Sequence, residues 1–144
     1  MEQMSTKLCN EMMDTGSFKS IFSGTTAEIR LYSGAVPATA DAAAGTVVAT
    51  VKEGGAALTF GSSAAGGILA KSGNTWSDPS AVGGTATYWR LVLHADDDGA
   101  TGSTYPRVQG TVGIGGADMN VGNNVISAAS TFTLNYFTQA LIPS

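Results

Sequence analysis

The chain has 144 residues, of which 43% are hydrophobic and only 12% charged, with 19 glycines and a net charge of -4. That charge content is about half of the one quarter or so usual in soluble domains, and it comes without the apolar deficit of a disordered chain. The acidic balance, with seven Lys and Arg scattered singly, argues against a nucleic-acid partner. No apolar run approaches the length of a membrane span.

Ser5 to Thr15 is the good helix candidate. Ser5 can cap it, and Leu8, Cys9, Met12 and Met13 fall on one face. Gly16 supplies a stop. About ten residues cannot stay helical alone in water, so that face must dock, either on the chain's own sheet or on a neighbouring subunit. We expect an inter-subunit contact through Leu8, Cys9, Met12 and Met13. The N-terminus lacks a basic segment leading into an apolar one, so no signal peptide is expected. The lone Cys9 leaves no internal disulfide.

After Gly24 the period changes from helical to alternating. Ala27 to Tyr32 places Ile29 and Leu31 on one side, with Glu28, Arg30 and Tyr32 on the other. Ser33 to Pro37 breaks this strand, and 38–45 is a loop of small residues. Thr46 to Val51 resumes with Val47, Ala49 and Val51 on a common face. Short strands follow at Leu58–Phe60 and after Gly66-Gly67, and Trp76 falls in a loop before the turn Asp78-Pro79-Ser80.

Thr85 to His94 is the strongest strand. Trp89, Leu91 and Leu93 read as core, while Tyr88, Arg90, Val92 and His94 read as half exposed. Asp96-Asp97-Asp98-Gly99 then makes a solvated turn, and Pro106 opens a strand from Arg107 to Val112. Asn123-Asn124 is the last turn. In the final strand, Thr131 to Thr138, the residues Phe132, Leu134 and Tyr136 point inward. Seven or eight short strands at about ten-residue spacing predict an all-β fold, an antiparallel β-sandwich or jelly roll with a short N-terminal helix. Residues 1–24 read as an N-terminal helical arm and 25–144 as the β-sandwich domain.

Candidates for chemistry are few. His94 is the only histidine, and it reads as solvated or turn-bonded rather than catalytic. Nitrogen- or sulfur-ligated metal sites need several such ligands, which one His and one Cys do not supply. Counting an EF-hand loop from Asp96 places Ala100, Thr101 and Arg107 at positions five, six and twelve, where the motif needs an oxygen ligand, glycine and Glu. Gly113 to Asp118 lacks the third glycine of a dinucleotide loop and leads into no helix pattern, so Asp118 and its glycines read as turn chemistry. Trp76 alone offers a platform for a glycan. The expectation is a protein with no catalytic residue, no metal and no cofactor.

Four stretches in order carry a resemblance. They are Ile29-Arg-Leu-Tyr-Ser-Gly-Ala-Val-Pro-Ala-Thr-Ala-Asp41, Gly45-Thr-Val-Val-Ala49, Gly84-Thr-Ala-Thr-Tyr-Trp-Arg-Leu91 and Gly110-Thr-Val-Gly-Ile-Gly-Gly-Ala-Asp118. With the N-terminal helix and a Thr-rich terminal strand ending in Leu141-Ile142-Pro143, they resemble a family of small virion structural proteins of tailed bacteriophages, over nearly the whole chain. The resemblance implies a non-enzymatic particle protein. From size, fold and the lack of a site we expect a capsid decoration, or cement, protein. Its partners would be the major capsid protein and its own copies as a homodimer or homotrimer, with no nucleic acid and no membrane. It would reside in the virion, assembled in the host cytoplasm. The alternatives are a neck, tail or fibre component, or a glycan-binding β-sandwich module built around an exposed Trp76.

Overall fold

The computed structural model describes residues 1–23 and 26–140. Gly24, where the sequence period changes, and Leu141-Ile142-Pro143 lie outside the described residues. Strands hold 37% of the chain and helix 10%, so the mostly-β expectation stands. In chain order the elements are β1 (Gln3–Met4), α1 (Thr6–Asp14), α2 (Phe18–Phe22), β2 (Ala27–Ser33), β3 (Thr46–Glu53), β4 (Ile68–Ala70), β5 (Trp76–Asp78) and β6 (Gly84–Thr85), then β7 (Tyr88–Leu93), β8 (Val108–Gly113), β9 (Met119–Asn120), β10 (Val125–Ile126), β11 (Phe132–Leu134) and β12 (Thr138–Ala140).

The main sheet runs β1-β8-β7-β2-β3-β5-β11, with β9 also bordering β8. Its pairs are antiparallel except β8 with β9. Two ribbons, β4 with β12 and β6 with β10, stand outside it. Among the described residues the main sheet does not close on itself.

Register explains the core. Ile29 lies opposite Leu91 and Val51, and Leu31 opposite Trp89 and Ala49. One face of the sheet is therefore a continuous apolar surface, joined by Leu58, Phe60, Leu69, Phe137 and the helical Leu8, Phe18 and Phe22 in one cluster. Phe137 of the segment before β12 meets Trp89 edge-on at 5.4 Å and Trp76 at 5.8 Å.

Several expectations are corrected here. Ser17 caps α2 through a box in which Ser20 reaches back to the Ser17 N–H. Serine fills the place that Glu or Gln holds in the usual signature, which is why the sequence reading passed over this helix. In β3 the clean alternation of Val47, Ala49 and Val51 is interrupted. Leu31 pairs with Ala49 and Tyr32 with Val47, leaving Val48 as the extra residue of a bulge. Val48 is buried in the core as a result, and Val47 is only half-buried.

β7 is buried on both faces, since Tyr88, Arg90 and Val92 are as enclosed as Trp89 and Leu91. Trp76 is fully buried within β5, between β3 and β11, and so offers no glycan platform. The strand expected over Thr131 to Thr138 stops at Leu134, the end of β11; Tyr136 is 75% exposed, while Phe137 takes the core position. The N-terminal segment is also part of the sheet rather than an appendage to it. β1 pairs with β8, and the Arg107 N–H donates to the Ser5 hydroxyl at 2.9 Å.

Candidate functional site

The second face of the sheet carries the chemistry. Glu28, Arg30 and Tyr32 project from β2, Tyr88 and Arg90 from β7, and Gln109 from β8, because each pair stands cross-strand in register. The loops 34–45 and 94–107 cover them. A Glu-x-Arg-x-Tyr alternation reads from sequence as a solvent face, and it is instead a second, ionic core.

Arg107 is fully enclosed and grips Asp96 with two parallel bonds of 2.6 Å, from Nε to Oδ2 and from Nη2 to Oδ1. Its Nη1 donates to the Gly99 carbonyl at 2.9 Å. Burial alone would lower the Arg107 pKa, but the bonds and charge of Asp96 outweigh it and raise it. Arg30 bonds Glu28 at 2.7 Å and the Asp96 carbonyl at 2.8 Å, and pairs with Asp98 at 3.0 Å. The Tyr32 hydroxyl donates to the same Asp98 carboxylate. Burial first, then that bond and the charge of Asp98, push the Tyr32 phenol far above its ordinary value.

Arg90 is the central cation. Its Nε donates to Gln109 and its Nη2 to the Ala42 carbonyl, both at 2.9 Å. Its guanidinium carbon lies 6.0 Å from the ring centres of Tyr32 and Tyr88, which stack 4.9 Å apart. Burial, followed by the nearby charge of Arg107, lowers its pKa. Arg30, Arg90 and Arg107 thus balance Glu28, Asp96 and Asp98 within one cluster, and the covering loops are held by it. The turn Asp96–Gly99, expected to be solvated, is therefore an anchor, with Asp96 buried.

Glu28 sits among basic side chains. Its carboxylate meets Arg30, Lys52 at 3.3 Å and His94 Nδ1 at 3.1 Å. Burial raises its pKa, yet the bonds from Arg30 and His94 prevail and hold it below the usual carboxylate range. His94 itself is largely exposed. Asp118 closes a turn through Gly116, whose φ is +73°, and accepts both the Thr111 N–H and hydroxyl at 2.9 Å. Arg30, Arg90, Arg107 and Asp118 each bond backbone groups, whereas Glu28 and Tyr32 meet side chains. Among the described residues no group of three His, Cys, Asp or Glu is placed to hold a metal ion.

The residues expected at an inter-subunit contact divide. Leu8 is fully buried in the chain's own core, and Met12 packs against that core. Cys9 is exposed, and Met13 is 86% exposed. The docking stripe of α1 is one side chain wide, so the residues one step further round the helix reach solvent.

No protein-family model, curated protein or solved structure matches the chain.

Proposed function

We propose that this chain is a non-enzymatic virion structural protein of a tailed bacteriophage, a capsid decoration protein that binds the major capsid protein and its own copies. The four motif stretches that resemble such proteins support the reading, and so does the antiparallel β-rich fold. We read the finer architecture as an open sandwich, in which the apolar face of the main sheet is covered by the β4–β12 ribbon, the segment at Phe60 and the two helices.

One surface observation carries the function. The chain has few charged residues, and Glu28, Arg30, Arg90, Asp96 and Arg107 among them are buried. Met13, Val82, Ile114 and Val125 meanwhile stand more than half exposed. Such a surface loses little on desolvation against protein, and charge depletion with exposed Met is among the features of interface centres. On a capsid, many copies each bridging neighbouring subunits add contacts that must break together, so modest affinity per copy suffices.

A mass-resolved protein profile of purified particles tests this. A copy number comparable to that of the major capsid protein is the expected result. A much smaller one would place the chain in the neck, tail or fibre, and absence from particles overturns the virion assignment.

A further inference from the structure

Among the described residues the main sheet does not close, and a cleft of about 510 Å³ lies between β9 and the stretch that contains β11. Met119 and Asn120 of β9 line one wall; the other is the stretch from Thr131 to Thr138, which contains β11. Trp89 and Glu2 also border it. That volume falls within the range of about 300–1,000 Å³ found for small-molecule sites. We propose that this cleft binds a neutral saccharide, an inference that goes beyond the particle assignment and does not depend on it.

Lining chemistry selects the ligand class. Tyr136 stands 75% exposed and Phe132 is half-buried, and both line the cleft. Aromatic rings so placed offer a face for the C–H surface of a sugar ring, with the phenol left to hydrogen-bond. The wall also presents the side chains of Thr133, Asn135 and Thr138, each unengaged by the described residues. These groups donate and accept, as hydroxyl-rich ligands require.

Charge narrows the class further. No Lys, Arg or His lines the cleft among the described residues, whereas Glu2 and Asp118 do. A phosphorylated, sulfated or sialylated ligand would meet these carboxylates, and the Met1 ammonium beside them is already paired with Asp118. Asp118 is already satisfied by Thr111 and by the Met1 ammonium at 3.0 Å, so a cationic ligand gains little there. The Glu2 carboxylate accepts one bond, from Gln139 at 2.8 Å, and its other oxygen is free to accept from a hydroxyl. A purely apolar ligand would leave these groups buried without a partner.

The experiment uses the intact chain on an array of neutral glycans built from glucose, galactose, mannose and their N-acetylamino forms, with sialylated and sulfated counterparts alongside. Hits are then titrated by ligand-observed NMR. The expected result is binding of at least one neutral glycan, with Tyr136→Ala and Asn135→Ala each weakening it about tenfold, or 1.4 kcal/mol. Both side chains are exposed, and both variants should keep the parent thermal midpoint. Binding confined to acidic glycans, no binding at all, or a neutral hit that both variants retain overturns the proposal.

Discussion

Single side chains decide how tightly the loops are tied to the sheet. Glu53 at the end of β3 accepts the Thr59 N–H and hydroxyl, the Ser72 hydroxyl, the Asn74 amide and the Trp76 indole N–H. Burial would raise its pKa, but the bonds from Thr59, Asn74 and Ser72 together outweigh that and lower it from 4.5 to about 2. A carboxylate depressed in the folded state adds stability that is fully present above the unfolded value and is lost as pH falls through the folded one. Between pH 4.5 and about 2 the chain should therefore lose stability through Glu53. Urea midpoints measured across that window should fall less steeply for Glu53→Gln, from a lower starting value at neutral pH. Parallel pH profiles for the two proteins would contradict this. Gly110 is a second decisive position. A Cβ there would lie 2.7 Å from the Trp89 indole nitrogen and 2.9 Å from the adjoining ring carbon. The ring is buried and rigid, so Gly110→Ala should cost about 1–3 kcal/mol in denaturant unfolding, the scale of core overpacking. A variant as stable as the parent would show that the ring can shift aside.

Between elements, the second face of the sheet is where sequence and structure part. Alternation in β2 and β7 located both strands and the apolar face through Ile29, Leu31, Trp89 and Leu91. The capped α1 was legible too. The partner face was not, because a charged residue in a strand reads as exposed unless its partner is visible, and the partners lie far off in sequence. Arg30 reaches the Asp96 carbonyl 66 positions away and Arg90 the Ala42 carbonyl 48 positions away. In β3 Ala49 and Val51 were read on the core face correctly, and the bulge exchanged only Val47 for Val48, since a one-residue slip reverses the side chains beyond it. Tyr136 and Phe137 exchanged roles because β11 stops at Leu134, which no local signal marks. Of the candidate site, His94 read as solvated and is largely exposed, whereas Asp96 read as a solvated turn residue and is a buried anchor. The enclosed pair gives a sharp test. Arg107→Ala leaves Asp96 buried without its cation and should cost about 3–5 kcal/mol, whereas replacing both with apolar residues of similar size should cost much less. Denaturation of the two single variants and the double variant, taken as a cycle, measures the coupling. Additive losses would mean that the ionic face is not one cooperative unit.

At the scale of the whole molecule, the question is what the N-terminal twenty residues do. They read as an arm for a neighbour, yet they supply β1 to the sheet, Leu8 and Phe18 to the core and the Ser5 hydroxyl to the Arg107 backbone. Asp41 of the covering loop in turn accepts the Thr6 N–H at 2.8 Å. Removing residues 1–20 therefore strips the edge of β8 and uncovers apolar core in one step. The expected product is a chain without a cooperative thermal transition, and Leu8→Ala alone should cost about 2–5 kcal/mol. A truncated chain that melts at the parent temperature would show that the sheet stands without its N-terminal edge. α1 has a second side, however. Met13 and Cys9 are exposed and contribute little to folding, so Met13→Glu should leave the melting midpoint within about a degree or two, as surface substitutions do. If α1 also meets the capsid, that variant should redecorate stripped particles less completely than the parent at equal concentration, because a charge at an interface centre must be desolvated. Equal occupancy by Met13→Glu and parent would remove α1 from the contact and shift attention to the exposed Val82, Ile114 and Val125.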